Sequence, residues 1–171
     1  MNLKNKEDKP VNFDNFTSNY ENTISKSFGD IDDNVGYYHL AKAIIAKREI
    51  GYNPNKILDF GCGIGSMLKF LKKNFNNSKF YAYDESLKSL EYIKKNYPDV
   101  SCLNNFDISE KFDLIFVSNV VHHVKSKDRY NFFQKIYKLL DENGILLIYE
   151  HNPYNPITLK VVANCEFDAD A

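Results

Sequence analysis

Cysteine is scarce in this chain of 171 residues, and the three present, Cys62, Cys102 and Cys165, form neither an even set nor a cluster at metal-ligand spacing. That excludes a disulfide framework, argues against a zinc site so that no metal is expected, and fits a reducing, cytoplasmic compartment. A surplus of positive charge is missing too: 22 lysines and arginines face 23 aspartates and glutamates, leaving a formal charge of −1. A chain without basic excess is poorly equipped to neutralise a phosphate backbone, so nucleic acid is set aside as a partner. Long apolar runs are also absent, the uninterrupted ones being far shorter than the ~20 residues that span a bilayer, and no basic segment followed by an apolar one opens the chain. No membrane association is expected. Glycine is sparse, yet three of the seven stand at alternate positions, 61, 63 and 65.

Apolar residues make up 43% of the chain and aromatics 15%, enough for one buried core. The opening stretch "MNLKNKEDKPVNFDN" (1–15) is polar and broken by Pro10, so it is expected as a disordered tail, with residues 16–171 forming a single domain. Two helices are predicted within 16–52, from "FTSNYENTISKSFG" and "DNVGYYHLAKAIIAKREIG", the second burying Tyr37, Leu40, Ala41, Ile44 and Ile45. From Lys56 onward the β-rich runs "KILDF", "KFYAYD", "DVSCLN", "FDLIFVSN" and "GILLIYE" alternate with helical periods. Parallel strands joined by crossover helices produce that pattern.

Met67, Leu68, Leu71 and Phe75 mark the inner face of the first crossover helix, and Leu87, Leu90, Ile93 and Tyr97 that of the second, capped by Ser86 and stopped by Pro98. For the last crossover the expectation is Ser126 as N-cap, Tyr130, Phe133, Tyr137 and Leu140 inward, and Gly144 as a left-handed C-cap. The fourth and fifth strands are almost continuously apolar and belong in the middle of the sheet. The fold class is α/β: a doubly wound, Rossmann-like parallel sheet whose ligand crevice lies at the carboxyl ends of the strands where their order reverses.

The first strand runs into "DFGCGIGS", Asp59 to Ser66. A glycine turn entering a helix commonly cradles a pyrophosphate, but the dinucleotide fingerprint is GxGxxG and this loop reads GxGxG. Asp59 weighs further against an anion, since a carboxylate about 4 Å from a phosphate charge costs roughly 4 kcal/mol at an effective dielectric of about 20. A cationic ligand reverses the sign. S-adenosylmethionine carries a sulfonium and an α-ammonium and no phosphate, so the acid attracts it while the glycines admit its bulk.

"ILDFGCGIGS" resembles motif I of the class I S-adenosylmethionine-dependent methyltransferases, and "YAYDESLKSLE" is similar to their acidic second-strand motif. The likeness continues through "FDLIFVSNVVHHV" and "LLDENGILLIYEHNPYNP", covering roughly 56–156. It implies a cofactor-binding core over 56–150, N-terminal lid helices over 16–52, and strands ordered 3-2-1-4-5. It also implies that Asp59, Gly61, Cys62 and Gly63 attend the methionine part of the cofactor, that Asp84 with Glu85 takes the ribose hydroxyls, and that Asn119 lies beneath the methionine. Asn105, Phe106 and Asp107 would border the adenine, where Phe106 either flanks the base or closes the core and Asp107 either bonds the exocyclic amine or caps a turn. Asp84 has a second reading as a helix cap, although Ser86 fills that role.

On the acceptor side, His122 and His123 follow the fourth strand and Glu150 and His151 the fifth. A neutral imidazole there takes a proton from a nucleophile; the alternative is a histidine that packs or bonds a carbonyl, and for Glu150 and His151 ordinary loop polarity. "NPY", Asn152–Tyr154, is no NPPY tetrad, because it lacks a proline and follows the fifth strand.

The reaction expected is in-line displacement of the sulfonium methyl onto a small-molecule acceptor. Family folds add a sixth and a seventh strand beside the fifth, and residues 151–171 leave no room for them. A truncated or split chain is expected, with self-association or a partner chain covering the fifth-strand edge. A non-catalytic S-adenosylmethionine-binding domain is the alternative function.

Overall fold

The computed structural model describes residues 11–15, 17, 19, 35–105, 109–165 and 168. The β-rich runs become β1 (Lys56–Phe60), β2 (Lys79–Tyr83), β3 (Ser101–Leu103), β4 (Phe112–Ser118) and β5 (Leu140–Tyr149), one parallel sheet in the order β3-β2-β1-β4-β5. The doubly wound fold expected from the alternation is therefore observed. The order reverses between β1 and β4, where Asp59 pairs with Ala82 on one side and Phe116 on the other. That places the crevice at the ends of β1, β2 and β4.

Successive side chains of a strand point to opposite faces, and β1 shows it: Ile57 joins one core layer and Leu58 and Phe60 the other. The first layer packs α1 (Val35–Ile50), α2 (Leu68–Asn74) and α3 (Leu87–Asn96) against the sheet; the second packs α4 (Arg129–Leu139). Met67, Leu68, Leu71 and Phe75 are all buried as their spacing predicts, each contributing about 1.5–3 kcal/mol. Ser86 caps α3, its hydroxyl accepting from the Ser89 amide at 3.1 Å. A fifth helix, α5 (Pro156–Asn164), starts on a proline with Asn155 as cap.

Two helices present a neighbouring face to the one expected. In α4 the buried positions are Ile136 and Leu139, with Phe132 packed against them, while Tyr130 and Tyr137 are largely exposed. The stripes 132/136/139 and 133/137/140 lie one residue apart, and the tyrosine hydroxyls favour the wet one. In α1 it is Ala43, Ala46 and Ile50 that are buried; Tyr37, Ile44 and Ile45 are exposed, because small alanines let the helix approach the sheet layer closely. Within the second crossover, Leu87 is exposed and Ser89 takes an inward position.

The end of α4 also differs. Ser126 opens a separate 3-10 turn, Ser126–Asp128, and the helix stops at an extended Leu140. "DENG" belongs to β5, whose register against β4 shifts between Phe112 and Leu114. Gly144 sits at that irregularity without positive φ: a Cβ there would stand 2.6 Å from the Phe112 carbonyl oxygen, so glycine serves close backbone approach. Among the described residues β5 is an edge strand with a half-exposed pattern and Ile148 open to solvent, so its place in the middle is not realised. Of the expected tail, Phe13–Asn15 form a 3-10 turn tied to α3 by Asp14, which accepts from the Ser86 hydroxyl at 2.5 Å and the Lys88 amide at 3.3 Å. The first predicted N-terminal helix lies almost wholly outside the described residues.

Candidate cofactor and acceptor site

Asp59 comes one residue before the end of β1 and its carboxylate is 2% exposed. Its Oδ2 has no hydrogen-bond partner among the described residues. Burial first, then the nearby Asp84 charge, push this carboxyl up to about 7, with Lys42 of α1 pulling the other way. An unpartnered buried carboxylate is expensive to keep, and a cation brought beside it removes the penalty.

The turn that follows is closed by left-handed glycines, with φ of 73° at Gly61, 51° at Gly63 and 82° at Gly65. A Cβ at Gly61 would come 2.3 Å from Val120 Cγ2, so the first glycine is demanded by both backbone and space. Four amides of the turn are already engaged. Gly61 and Cys62 donate to the Tyr83 carbonyl at 2.8 and 3.1 Å, Gly63 to Asp84 Oδ2 at 2.8 Å, and Gly65 to the Cys62 carbonyl at 2.8 Å. A phosphate would find these donors taken, an argument against an anion independent of the Asp59 charge. Cys62 is buried, and burial followed by the Asp59 charge holds its thiol well above the usual range, so it stays protonated.

Asp84 follows β2. Its Oδ1 accepts from the Ser86 amide and its Oδ2 from the Gly63 amide, both at 2.8 Å, which fixes the carboxylate in plane. Burial raises its carboxyl, and those two amides oppose the rise. Each oxygen keeps a further acceptor position for a diol. Glu85 beside it is exposed.

At the end of β4, Asn119 adopts φ of 57°, the single left-handed non-glycine residue among those described, with its amide bound to the Tyr149 carbonyl at 2.8 Å. Asparagine tolerates that conformation, which turns the chain sharply over the glycine loop. Lys42 donates to the Ser118 hydroxyl at 2.7 Å, and burial lowers its ammonium, with Glu150 and Asp59 opposing.

The acceptor-side candidates form one cluster. Glu150 Oε1 accepts from the Val120 and Val121 amides at 2.9 and 2.7 Å, and its Oε2 meets His122 Nδ1 at 2.7 Å. The other ring nitrogen of His122 lies 3.1 Å from Asp168 Oδ1, and His123 Nε2 is 3.6 Å from the same oxygen. Burial alone would lower His122, but hydrogen bonds to Asp168 and Glu150 prevail and bring it up to about 9. The His151 ring is 4.6 Å from that of His122, and burial, then the charge of His122, lower it.

A cavity of about 620 Å³ joins both halves; Gly61, Gly63, Asp84, Glu85 and Asn119 line it on one side, His123 and His151 on the other. Asp59, Cys62, His122 and Glu150 are not among the residues that line it. Asn105 is exposed and does not line the cavity. Phe106 and Asp107 lie outside the described residues. The wall also includes Phe13, Phe60, Tyr83, Phe132 and Asp168, none of which motif reading singled out. Tyr83 and Phe60 carried a signal, since each directly precedes a motif position; Asp168 carried none, being 46 residues from its partner His122.

Residues 58–146 match the family model described as Methyltransferase domain. Carboxy-S-adenosyl-L-methionine synthase of Campylobacter concisus is 29% identical over 152 residues, covering 83% of this chain and 62% of that protein. (S)-coclaurine N-methyltransferase of Papaver somniferum is 25% identical over 104 residues, or 56% of this chain and 29% of that one. The chain thus spans less than two thirds of these relatives' lengths. The plantazolicin methyltransferase BpumL, crystallised with a monoazolic desmethylPZN analog and SAH, superposes with a TM-score of 0.64 at 15% identity, over 90% of this chain and 65% of that one.

Proposed function

We propose that this chain, which belongs to the class I S-adenosylmethionine-dependent methyltransferase family, transfers the cofactor's methyl group to a small-molecule acceptor by in-line displacement. The observation that carries the reading is Asp59 Oδ2, buried and without a hydrogen-bond partner among the described residues, next to a turn whose glycine amides are engaged. That combination suits a cationic ligand free of phosphate. When bound, S-adenosylmethionine supplies a methyl on positively charged sulfur, already activated for departure.

The chain's own work is binding and alignment, which supplies up to about 7–11 kcal/mol. Asp59 draws the positive groups inward, Gly61, Gly63 and Asn119 shape the floor beside the methionine part, and Asp84, flanked by Glu85, receives the ribose hydroxyls with the acceptor positions left free by Gly63 and Ser86. His123 and His151 face the acceptor across the cavity, within reach of a proton on an attacking atom, while Glu150 and His122 fix their placement. The domain would comprise lid helices over 16–52, a cofactor core over 56–150 and a short C-terminal segment over 151–171. No helix among the described residues is long and apolar enough to cross a membrane, and three cysteines outside any disulfide favour a reducing compartment such as the cytoplasm.

A second reading, a cofactor-binding domain that needs another chain for turnover, is favoured by the open edge of β5. Calorimetry with S-adenosylmethionine, S-adenosylhomocysteine and NADH, followed by a turnover assay over hydroxyl, amine and thiol acceptors, tests both. Binding of the first two with transfer is the expected result; binding without transfer favours the second reading; NADH binding alone refutes both.

A further inference from the structure

The link between the histidines and Asp168 is used by nothing in methyl transfer. Asp168 is 7% exposed, and the chain returns to the site after α5 to deliver its carboxylate between two imidazoles. One donor atom from each of His122, His123 and Asp168 lies within 4.8 Å of the others. Ligand atoms around a tetrahedral ion at ~2.0–2.1 Å stand roughly 3.4 Å apart, and the two separations from Asp168 Oδ1, 3.1 Å to His122 Nε2 and 3.6 Å to His123 Nε2, bracket that distance.

A second observation concerns the far side of the His122 ring. Its Nδ1 bonds Glu150 Oε2 at 2.7 Å, and Glu150 is itself clamped by two backbone amides. A carboxylate held behind an imidazole keeps a proton on Nδ1, so that an ion displacing the Nε2 proton meets that nitrogen on the Asp168 side, the orientation in which histidines ligate metals. Two carboxylates on one imidazole also leave local negative charge for a cation to neutralise. His123 and Asp168 line the cavity, so a fourth position would open into it.

We propose that His122, His123 and Asp168 bind one divalent transition-metal ion of the zinc type, with Glu150 orienting His122 and one coordination position open to the cavity. Imidazole donors select such ions over calcium or magnesium, and three protein ligands with a free position are the arrangement of a reactive zinc site. The site does not depend on the methyl-transfer reading; with the ion bound His123 is a ligand, and the proton-accepting role falls to His151. The expectation of no metal came from cysteine spacing, which is blind to histidines paired with a carboxylate from the other end of the chain.

The test is titration of the chelator-treated full chain with Co²⁺, followed by visible d–d absorption, with Zn²⁺ as competitor. Binding of a single equivalent displaced by Zn²⁺ is expected. His123→Ala and Asp168→Asn should abolish the stoichiometric signal, and Glu150→Gln, which keeps all three ligands, should weaken binding about 10–100-fold. Circular dichroism confirms that the variants remain folded; if one does not, His122→Gln replaces it in the series. Absence of stoichiometric binding in the wild type, or binding indifferent to these substitutions, overturns the proposal.

Discussion

The two halves of the cavity are built on opposite principles. At the ends of β1 and β2 the important groups come from short contiguous stretches, and one of them, Asp59, has an oxygen, Oδ2, with no hydrogen-bond partner among the described residues. At the ends of β4 and β5 they come from three separate segments, and Glu150, His122 and Asp168 satisfy one another. A half with an unbonded buried carboxylate oxygen is poised for a cofactor that supplies the missing contact; a half whose side chains bond one another is organised before the cofactor arrives. If that contrast holds, substitutions in the first half change cofactor affinity and those in the second leave it alone.

The largest effect is expected from Asp59→Asn on stability without ligand. The folded carboxyl titrates at about 7 against an ordinary 3.8, so the folded state favours the proton, and wild-type stability falls as pH rises from about 4 through 7. Asparagine removes that loss, a gain on the order of 4 kcal/mol at most above pH 8. Thermal unfolding of both proteins at pH 5 and pH 8 should show the gap widening with pH; a constant gap would refute the unpaired-charge picture.

Gly61→Ala should destabilise by about 3 kcal/mol, combining left-handed backbone strain with the clash against Val120. Denaturant titration measures it, and the double variant Gly61→Ala, Val120→Ala should recover the steric part only. Asp84→Asn should weaken S-adenosylmethionine about 30-fold by calorimetry, since an amide accepts at a single oxygen and the Gly63 and Ser86 amides compete for it. Smallest of all, His151→Ala should leave cofactor affinity within about twofold while turnover falls on the order of 100-fold or more. Equal losses of affinity from His151→Ala and Asp84→Asn would dissolve the contrast between the halves.

Legibility in the sequence followed the same divide. The strands, the Met67–Phe75 stripe, the Ser86 cap and the Asp59, Gly61, Gly63 and Asp84 positions are local in sequence, and reading them required only nearest neighbours; the sheet order is not local and followed from the family resemblance. The face of α4 was misread because 132/136/139 and 133/137/140 are both apolar stripes, and their choice depends on what the sheet offers across the layer. The same holds for α1, where alanines win over isoleucines by allowing close approach. Asp168 escaped because nothing in "CEFDADA" announces a partner 46 residues earlier. Gly144 looked like a helix cap because a β-bulge and a helix C-terminus both call for glycine.

Cofactor affinity is expected to rest on the Asp59 charge attracting a cationic ligand. Calorimetric titration of wild type and Asp59→Asn with S-adenosylmethionine from pH 5.5 to pH 8.5 should show wild-type affinity climbing as Asp59 ionises near pH 7, with the variant weak and flat across the range. Wild-type binding that ignores pH, or a variant that binds as tightly as wild type at pH 8.5, would contradict it.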